Sequence, residues 1–268
     1  MVVVVTGAGR GIGKAMAMAL AGAGAKVALL EIDADVLAAA GKDVESSAGK
    51  DATLTLRCDV TSTEDAQSAL DTVLKRFGRL DALINDAVVG PERINDDFLN
   101  SPAKFWELED SLFRLMLKVN VFGPQLMART VAPTMIAAGR GRIINITTSL
   151  DTMYKPGVGG YGPSKAALEA HTRIMAQDLE GTGVSANILI PGGPANTRMI
   201  PAVSGIDRTS LIQPEIMGEP IVWLCSDDAQ GVNGLRFLAV RWDSNLARDA
   251  RLEQASDPIA WPQLGSQA

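Results

Sequence analysis

Two residues at helical spacing in this chain could move a proton: Tyr161 and Lys165, within Tyr161-Gly-Pro-Ser-Lys165. A free tyrosine titrates near pH 10 and is a poor base at neutral pH. An ammonium four residues on shares its helix face and favours the phenolate, which lowers that value. The pair would have to work without imidazole. The single histidine, His171, is read as a packing residue, and one histidine supports neither a general base beside the tyrosine nor a His-rich metal site; no metal is expected. A Tyr–Lys pair at this spacing also occurs by chance on exposed helix faces, so its meaning depends on what the other elements bring to it.

The first such element opens the chain. Val2, Val3, Val4 and Val5 form a β-branched run, as expected of a strand buried on both faces. It leads into Thr6-Gly-Ala-Gly-Arg-Gly-Ile-Gly13, then a helical pattern over 12–23 and a second strand over 26–31. Strand, glycine turn, helix, strand is a dinucleotide-binding arrangement. Gly7, Gly11 and Gly13 permit a tight turn and close approach of backbone to phosphate, and the helix start at Ile12 offers free N–H groups and partial positive charge. Glu31, closing the second strand, can accept hydrogen bonds from ribose hydroxyls and would repel a 2′-phosphate, which favours NAD over NADP. Asp33 reinforces this. Arg10 pulls the other way, since a guanidinium in the turn could meet an extra phosphate.

Further along, helices are predicted over 35–48, over 61–77 with a hydroxyl–glutamate start at Thr61 and Glu64, over 105–121 with Asn120 inside it, from Tyr161 to about 179, and over 214–226. Strands are predicted over 53–58, 80–84, 142–148, 184–190 and 235–240, and a tail over 255–268. Strands alternating with helices specify an α/β fold, a single doubly wound parallel sheet with helices on both faces. One domain is expected over 1–243, with a substrate loop over 192–215, and a C-terminal extension over 244–268. Ligands of such sheets sit beyond the carboxyl ends of the strands. Residues 7–13, Glu31, Asp59, Asn85, Thr148, Ser149 and 191–197 all fall at such ends.

A net charge of −6 and a pI near 4.9 argue against nucleic acid as a partner. The Val2 run is too short to span a bilayer and lacks a basic flank, so neither membrane nor secretion is expected, and a cytoplasmic location is. Cys58 and Cys225 read as unpaired thiols of a reducing compartment.

Over about 2–240 the chain resembles the short-chain dehydrogenase/reductase family. The turn has the TGxxxGxG form of its single-domain members, Tyr161 and Lys165 have the YxxxK form, and Asn187-Ile-Leu-Ile-Pro-Gly192 matches the segment leading to the nicotinamide end. The resemblance implies that Tyr161 donates or accepts the proton, Lys165 binds the nicotinamide ribose, and Asn120 holds a relay water. A hydroxyl of Thr148 or Ser149 would orient the substrate oxygen; spacing leans to Thr148 and leaves Ser149 open. It also implies that Asp59 and Val60 lie near the adenine, Asn85 and Ala87 near the adenosine ribose, and Pro191, Gly192 and Thr197 near the nicotinamide. Two departures stand out. Asn85-Asp-Ala-Val88 replaces the family's NNAG, and a β-branched Val88 constrains the backbone there. Val240-Arg-Trp-Asp243 replaces a C-terminal Asp-Gly-Gly. The implied function is an NAD(H)-preferring oxidoreductase interconverting a small secondary alcohol and a ketone, in a homo-oligomer, tetramer or dimer. The alternative is a nucleotide-binding sensor or scaffold of weak activity.

Overall fold

Alternate residues of the first strand face two different helix layers, and that sets the architecture. The computed structural model describes residues 1–261, so the last part of the predicted tail lies outside the described residues. Strand β1 (Val2–Thr6) is buried throughout. Val3 and Val5 join the core under α1 (Gly11–Gly22), α2 (Ala34–Ala48) and α8 (Gly218–Cys225). Val2 and Val4 join the opposite core under α3 (Thr63–Phe77), α5 (Gly123–Ala137) and α7 (Tyr161–Asp178). Period-two alternation of branched side chains thus builds a sheet with apolar faces on both sides.

The other strands are β2 (Lys26–Glu31), β3 (Thr53–Arg57), β4 (Ala82–Asn85), β5 (Gly141–Ile146), β6 (Val184–Ile190), β7 (Leu235–Leu238) and β8 (Ser256–Pro258). The remaining helices are α4 (Asp110–Leu117), the short α6 (Leu150–Met153) and α9 (Arg248–Ala255). The sheet order is β3-β2-β1-β4-β5-β6-β7-β8, so the winding reverses between β1 and β4. A crevice opens at such a reversal, at the carboxyl ends of the strands.

Four local features differ from the sequence reading. First, the sheet is not wholly parallel. β8 pairs antiparallel with β7, so part of the predicted tail is an edge strand. Secondly, the predicted 105–121 helix is a short 3₁₀ turn, then α4, then a π-helical turn at Lys118–Phe122 that carries Asn120. Thirdly, α3 is capped by Ser62, whose hydroxyl accepts from the Asp65 N–H, while the Thr61 hydroxyl donates to Asp59. Finally, β5 stops at Ile146, which releases Thr147 and Thr148 into the edge loop. Among the described residues Cys58 and Cys225 are buried and unpaired, and no helix is long and apolar enough to cross a membrane.

Candidate active site

The glycine turn is shaped by contacts that exclude side chains. Gly7 has φ +65, and a Cβ there would lie 2.8 Å from the Ala87 backbone; one on Gly13 would lie 2.3 Å from the Gly7 carbonyl. The ends of β1 and β4 are thereby drawn together, and the Thr6 hydroxyl accepts from the Asp86 and Ala87 N–H groups. The turn ends at Arg10, the N-cap of α1, with no side-chain cap, so the first N–H groups of the helix have no side-chain acceptor from the cap. Thr197 lies over this turn, its methyl 3.2 Å from where a Gly11 Cβ would stand. Gly192, at φ +101, lets Val240 pack against it, and the Val240 N–H donates to the Pro191 carbonyl.

At the end of β2, Glu31 Oε1 accepts from the Ile32 and Asp33 N–H groups at 2.9 and 3.3 Å. Oε2 lies 2.9 Å from where a Cβ on Gly9 would stand, so it overhangs the turn. Arg10 pairs with Asp33 at 3.0 Å. The guanidinium expected to pull towards a 2′-phosphate is thus held by a carboxylate.

Tyr161 and Lys165 are almost wholly buried at the start of α7. The Thr148 side chain lies close enough to the Tyr161 phenol to favour its ionised form, whereas Ser149 pairs with the Thr152 hydroxyl at 2.7 Å. Of the two hydroxyls left open by spacing, Thr148 is the one whose effect reaches the phenol, while Ser149 is taken up by Thr152. Lys165 Nζ donates to the Ile146 carbonyl at 2.7 Å and lies 5.9 Å from the Tyr161 ring centre.

Electrostatics correct one expectation. Burial pushes the Tyr161 phenol above its ordinary value; Thr148 pulls it back, while the carboxylates of Asp86 and Glu92 push it further up. Lys165 does not overcome this. Burial lowers its own pKa, and Asp86 opposes that fall. Asp86 is pushed up by burial, against the attraction of Lys165 and the nearness of the Gly13 backbone. The Asn-to-Asp departure thus puts a carboxyl between the dinucleotide turn and the lysine.

Other predicted residues are placed elsewhere or differently. Asn120 is buried in the π turn. Its Oδ1 accepts from the Val89 N–H at 2.8 Å, and its Nδ2 donates to the Val89 carbonyl and the Ser164 hydroxyl, each at 3.0 Å. The amide clasps the loop after β4 to α7. Asn85 is buried, its amide donating to Asn145 at 2.9 Å. Asp59 Oδ1 accepts from the Thr61 N–H and hydroxyl, and Val60 packs against Gly123. Val88 is not among the residues of positive φ, so valine sits there without the strain its replacement of glycine suggested. His171 faces Gln125. Among the described residues no cluster of acids, histidines or cysteines could hold a metal.

Sequence reasoning missed Glu92, on a 3₁₀ turn after β4. Its Oε2 is buried without a partner close to Met199, and its charge reaches Tyr161. It also missed the buried Glu169 and Arg236 behind Thr148. The available signal was a charged residue between apolar neighbours in each case, Leu168-Glu169 and Leu235-Arg236-Phe237.

Comparison with known proteins gives the same grouping. The model of the short chain dehydrogenase family matches residues 1–204. The 2-(S)-hydroxypropyl-CoM dehydrogenase 3 of Xanthobacter autotrophicus (strain ATCC BAA-1158 / Py2) is 31% identical over 251 residues, 88% of this chain and 93% of that protein. The fold is shared with a 3-ketoacyl-(acyl-carrier-protein) reductase of Brucella melitensis solved with NADH (TM-score 0.74, 24% identity, covering 87% of this chain and 93% of that one). It is shared too with a short chain dehydrogenase of Shigella flexneri 2a str. 301 solved with NADP (TM-score 0.78, 22% identity, covering 89% and 96%).

Proposed function

The chain belongs to the short chain dehydrogenase family of oxidoreductases, and on that premise we propose that it is an NAD(H)-preferring enzyme interconverting a secondary alcohol and a ketone, with Tyr161 as acid and base. The observation that carries this is the buried Tyr161 with Lys165 one turn along α7 and Thr148 at the end of β5 close to the phenol, in a sheet whose first helix has an uncapped N-terminus after the glycine turn.

The residues present fit a dinucleotide. The glycine cradle would be filled by any Cβ, and Glu31 Oε2 overhangs it. Gly7, Gly11, Ile12 and Gly13 would hold the pyrophosphate, Glu31 the adenosine ribose, Lys165 the nicotinamide ribose, and Pro191, Gly192 and Thr197 the nicotinamide end. When bound, the nicotinamide supplies or takes the hydride of the reaction. Thr148 orients the substrate oxygen towards Tyr161, whose phenol gives or takes the proton at that oxygen. Lys165 favours the phenolate by its charge. Glu31 with Arg10 already paired to Asp33 supports NAD over NADP.

Met199 and Ile200 give the loop over 192–215 an apolar cast, which supports a moderately apolar substrate. Exposed Phe113, Leu115, Phe122 and Ile174 along α4, the π turn and α7 support the homo-oligomer of this reading, a dimer or tetramer. A cytoplasmic location belongs to it as well. A panel of secondary alcohols and ketones with NAD(H) tests the function by absorbance of the reduced nicotinamide; turnover is expected. Tight NADH binding with no turnover across the panel would favour the sensor reading instead.

A further inference from the structure

Behind Thr148 lie two buried charges that the mechanism above does not use. Glu169, on α7, is fully buried, and Arg236, on β7, is 5% exposed. Arg236 Nε stands 3.1 Å from Glu169 Oε1, at ion-pair distance but off the hydrogen-bonding direction. Arg236 Nη2 donates to the carbonyl of Thr148. The other oxygen of Glu169 accepts from the Thr147 hydroxyl at 3.1 Å. The loop that carries Thr148 is therefore gripped at two successive residues, once through a hydroxyl and once through a carbonyl.

The C-terminal segment completes the arrangement. The Ala260 N–H donates to Glu169 Oε1 at 3.4 Å. Ala260 has φ 70, the one non-glycine residue of positive φ among those described, and Ile259 packs beside it against Ile188 and Ile190. This closes the pair off from water. A buried ion pair seldom adds stability over well-packed apolar side chains, because desolvation cancels most of the attraction. Its geometry is harder to replace: a planar guanidinium fork can address a carboxylate and a carbonyl at once.

We propose that Arg236 and Glu169 are positioning residues, which fix the loop after β5 so that the Thr148 hydroxyl reaches the Tyr161 phenol. This rests on the reading of Thr148 and Tyr161 as catalytic residues. The pair touches neither substrate nor cofactor and acts through Thr147 and Thr148. Segment 256–260 becomes, by the same contacts, part of the support of the site.

The test is a double-mutant cycle on the full-length protein. The paired replacement Arg236→Met with Glu169→Leu leaves no lone buried charge, so the protein should fold. Tyrosine labelled with ¹³C at Cζ gives a readout that needs no substrate. The chain has two tyrosines, and replacing the exposed Tyr154 by phenylalanine leaves one signal, from Tyr161. Thr148→Ala should shift that signal. The paired replacement should shift it in the same direction, and adding Thr148→Ala should then shift it little further. With a ketone turned over in the panel, each change should lower kcat by about 10- to 100-fold, the combination no more than either alone, and NADH affinity should hold within about twofold. A role in stability alone predicts a Tyr161 signal at its wild-type position and fold-changes that multiply, and either result overturns the proposal. Should the paired variant fail to fold, Arg236→Lys, which keeps the charge without the fork, should give the same signal shift, and its absence would refute the proposal too. A Thr148→Ala protein with an unmoved signal would instead overturn the Thr148–Tyr161 reading, and the proposal with it.

Discussion

Replacing Glu31 by alanine separates the two things its carboxylate would do at the cofactor. Oε1 is committed to the Ile32 and Asp33 N–H groups, while Oε2 overhangs Gly9, ready to accept from a ribose hydroxyl. A hydrogen bond to a charged acceptor contributes about 1.5–3 kcal/mol. Its loss should weaken NADH binding by about 10- to 100-fold. A 2′-phosphate meets the same carboxylate as a like charge. At roughly 5 Å and an effective dielectric of about 20–80, the repulsion per unit charge is about 1–3 kcal/mol. NADPH should therefore bind more weakly than NADH to the wild type and more tightly to Glu31→Ala than to the wild type. Asp33 still pairs with Arg10 in that variant. Adding Asp33→Ser should free the guanidinium to meet the phosphate and carry the preference over to NADPH. Fluorescence titrations with both reduced cofactors measure all of this. A wild type that prefers NADPH, or a Glu31→Ala protein with unchanged NADH affinity, would refute the reasoning.

Three other outcomes are expected. Asp86→Asn removes a negative charge that raises the Tyr161 pKa; the phenolate then forms more readily, so the rising limb of kcat/KM for alcohol oxidation, where the base ionises, should move to lower pH, and a limb that stays or moves up contradicts the assignment. Thr148→Ala should cut turnover by about 10- to 100-fold, whereas Ser149→Ala, whose hydroxyl faces Thr152, should stay within about threefold; steady-state kinetics showing the opposite order would reverse the choice between them. Phe237 is fully buried and packs against Trp223 and Trp242, so Phe237→Ala should cost about 3–5 kcal/mol in urea unfolding, and a loss below about 1 kcal/mol would show a core able to collapse around the gap.

The readable parts of this chain are those where local pattern and tertiary demand agree. β6 runs over the residues its apolar pattern marks, and α7 starts at Tyr161 as read. The Val2 run and the glycine turn specify β1 and α1 because branched residues and glycines constrain the backbone wherever they stand. Ser256-Asp-Pro258 carries no strand signal, and only the free edge of β7 makes it one. Asn120 sits in a π turn, a change of period that apolar spacing does not encode. The family likeness brought the site residues to one edge, but spacing alone left Thr148 and Ser149 unresolved, because one residue of loop decides which hydroxyl points inward. Helical spacing also suggested that Lys165 lowers the Tyr161 pKa. In the folded chain burial outweighs that, and Asp86 and Glu92 add negative charge from distant positions in sequence. Glu169 and Arg236 escaped notice because each is one charge in an apolar stretch, and their pairing exists only once α7 and β7 are packed.

The central claim is that Tyr161 moves the proton of a nicotinamide-dependent alcohol–ketone conversion, and Tyr161→Phe tests it most directly. Turnover of a ketone from the panel should be followed by loss of the reduced nicotinamide, with NADH affinity titrated on the same preparation. The account predicts turnover lower by about 100- to 10,000-fold with NADH affinity changed far less, since the proton-transfer role of Tyr161 outweighs the contribution expected of it to cofactor binding. Full turnover by the phenylalanine variant would contradict it.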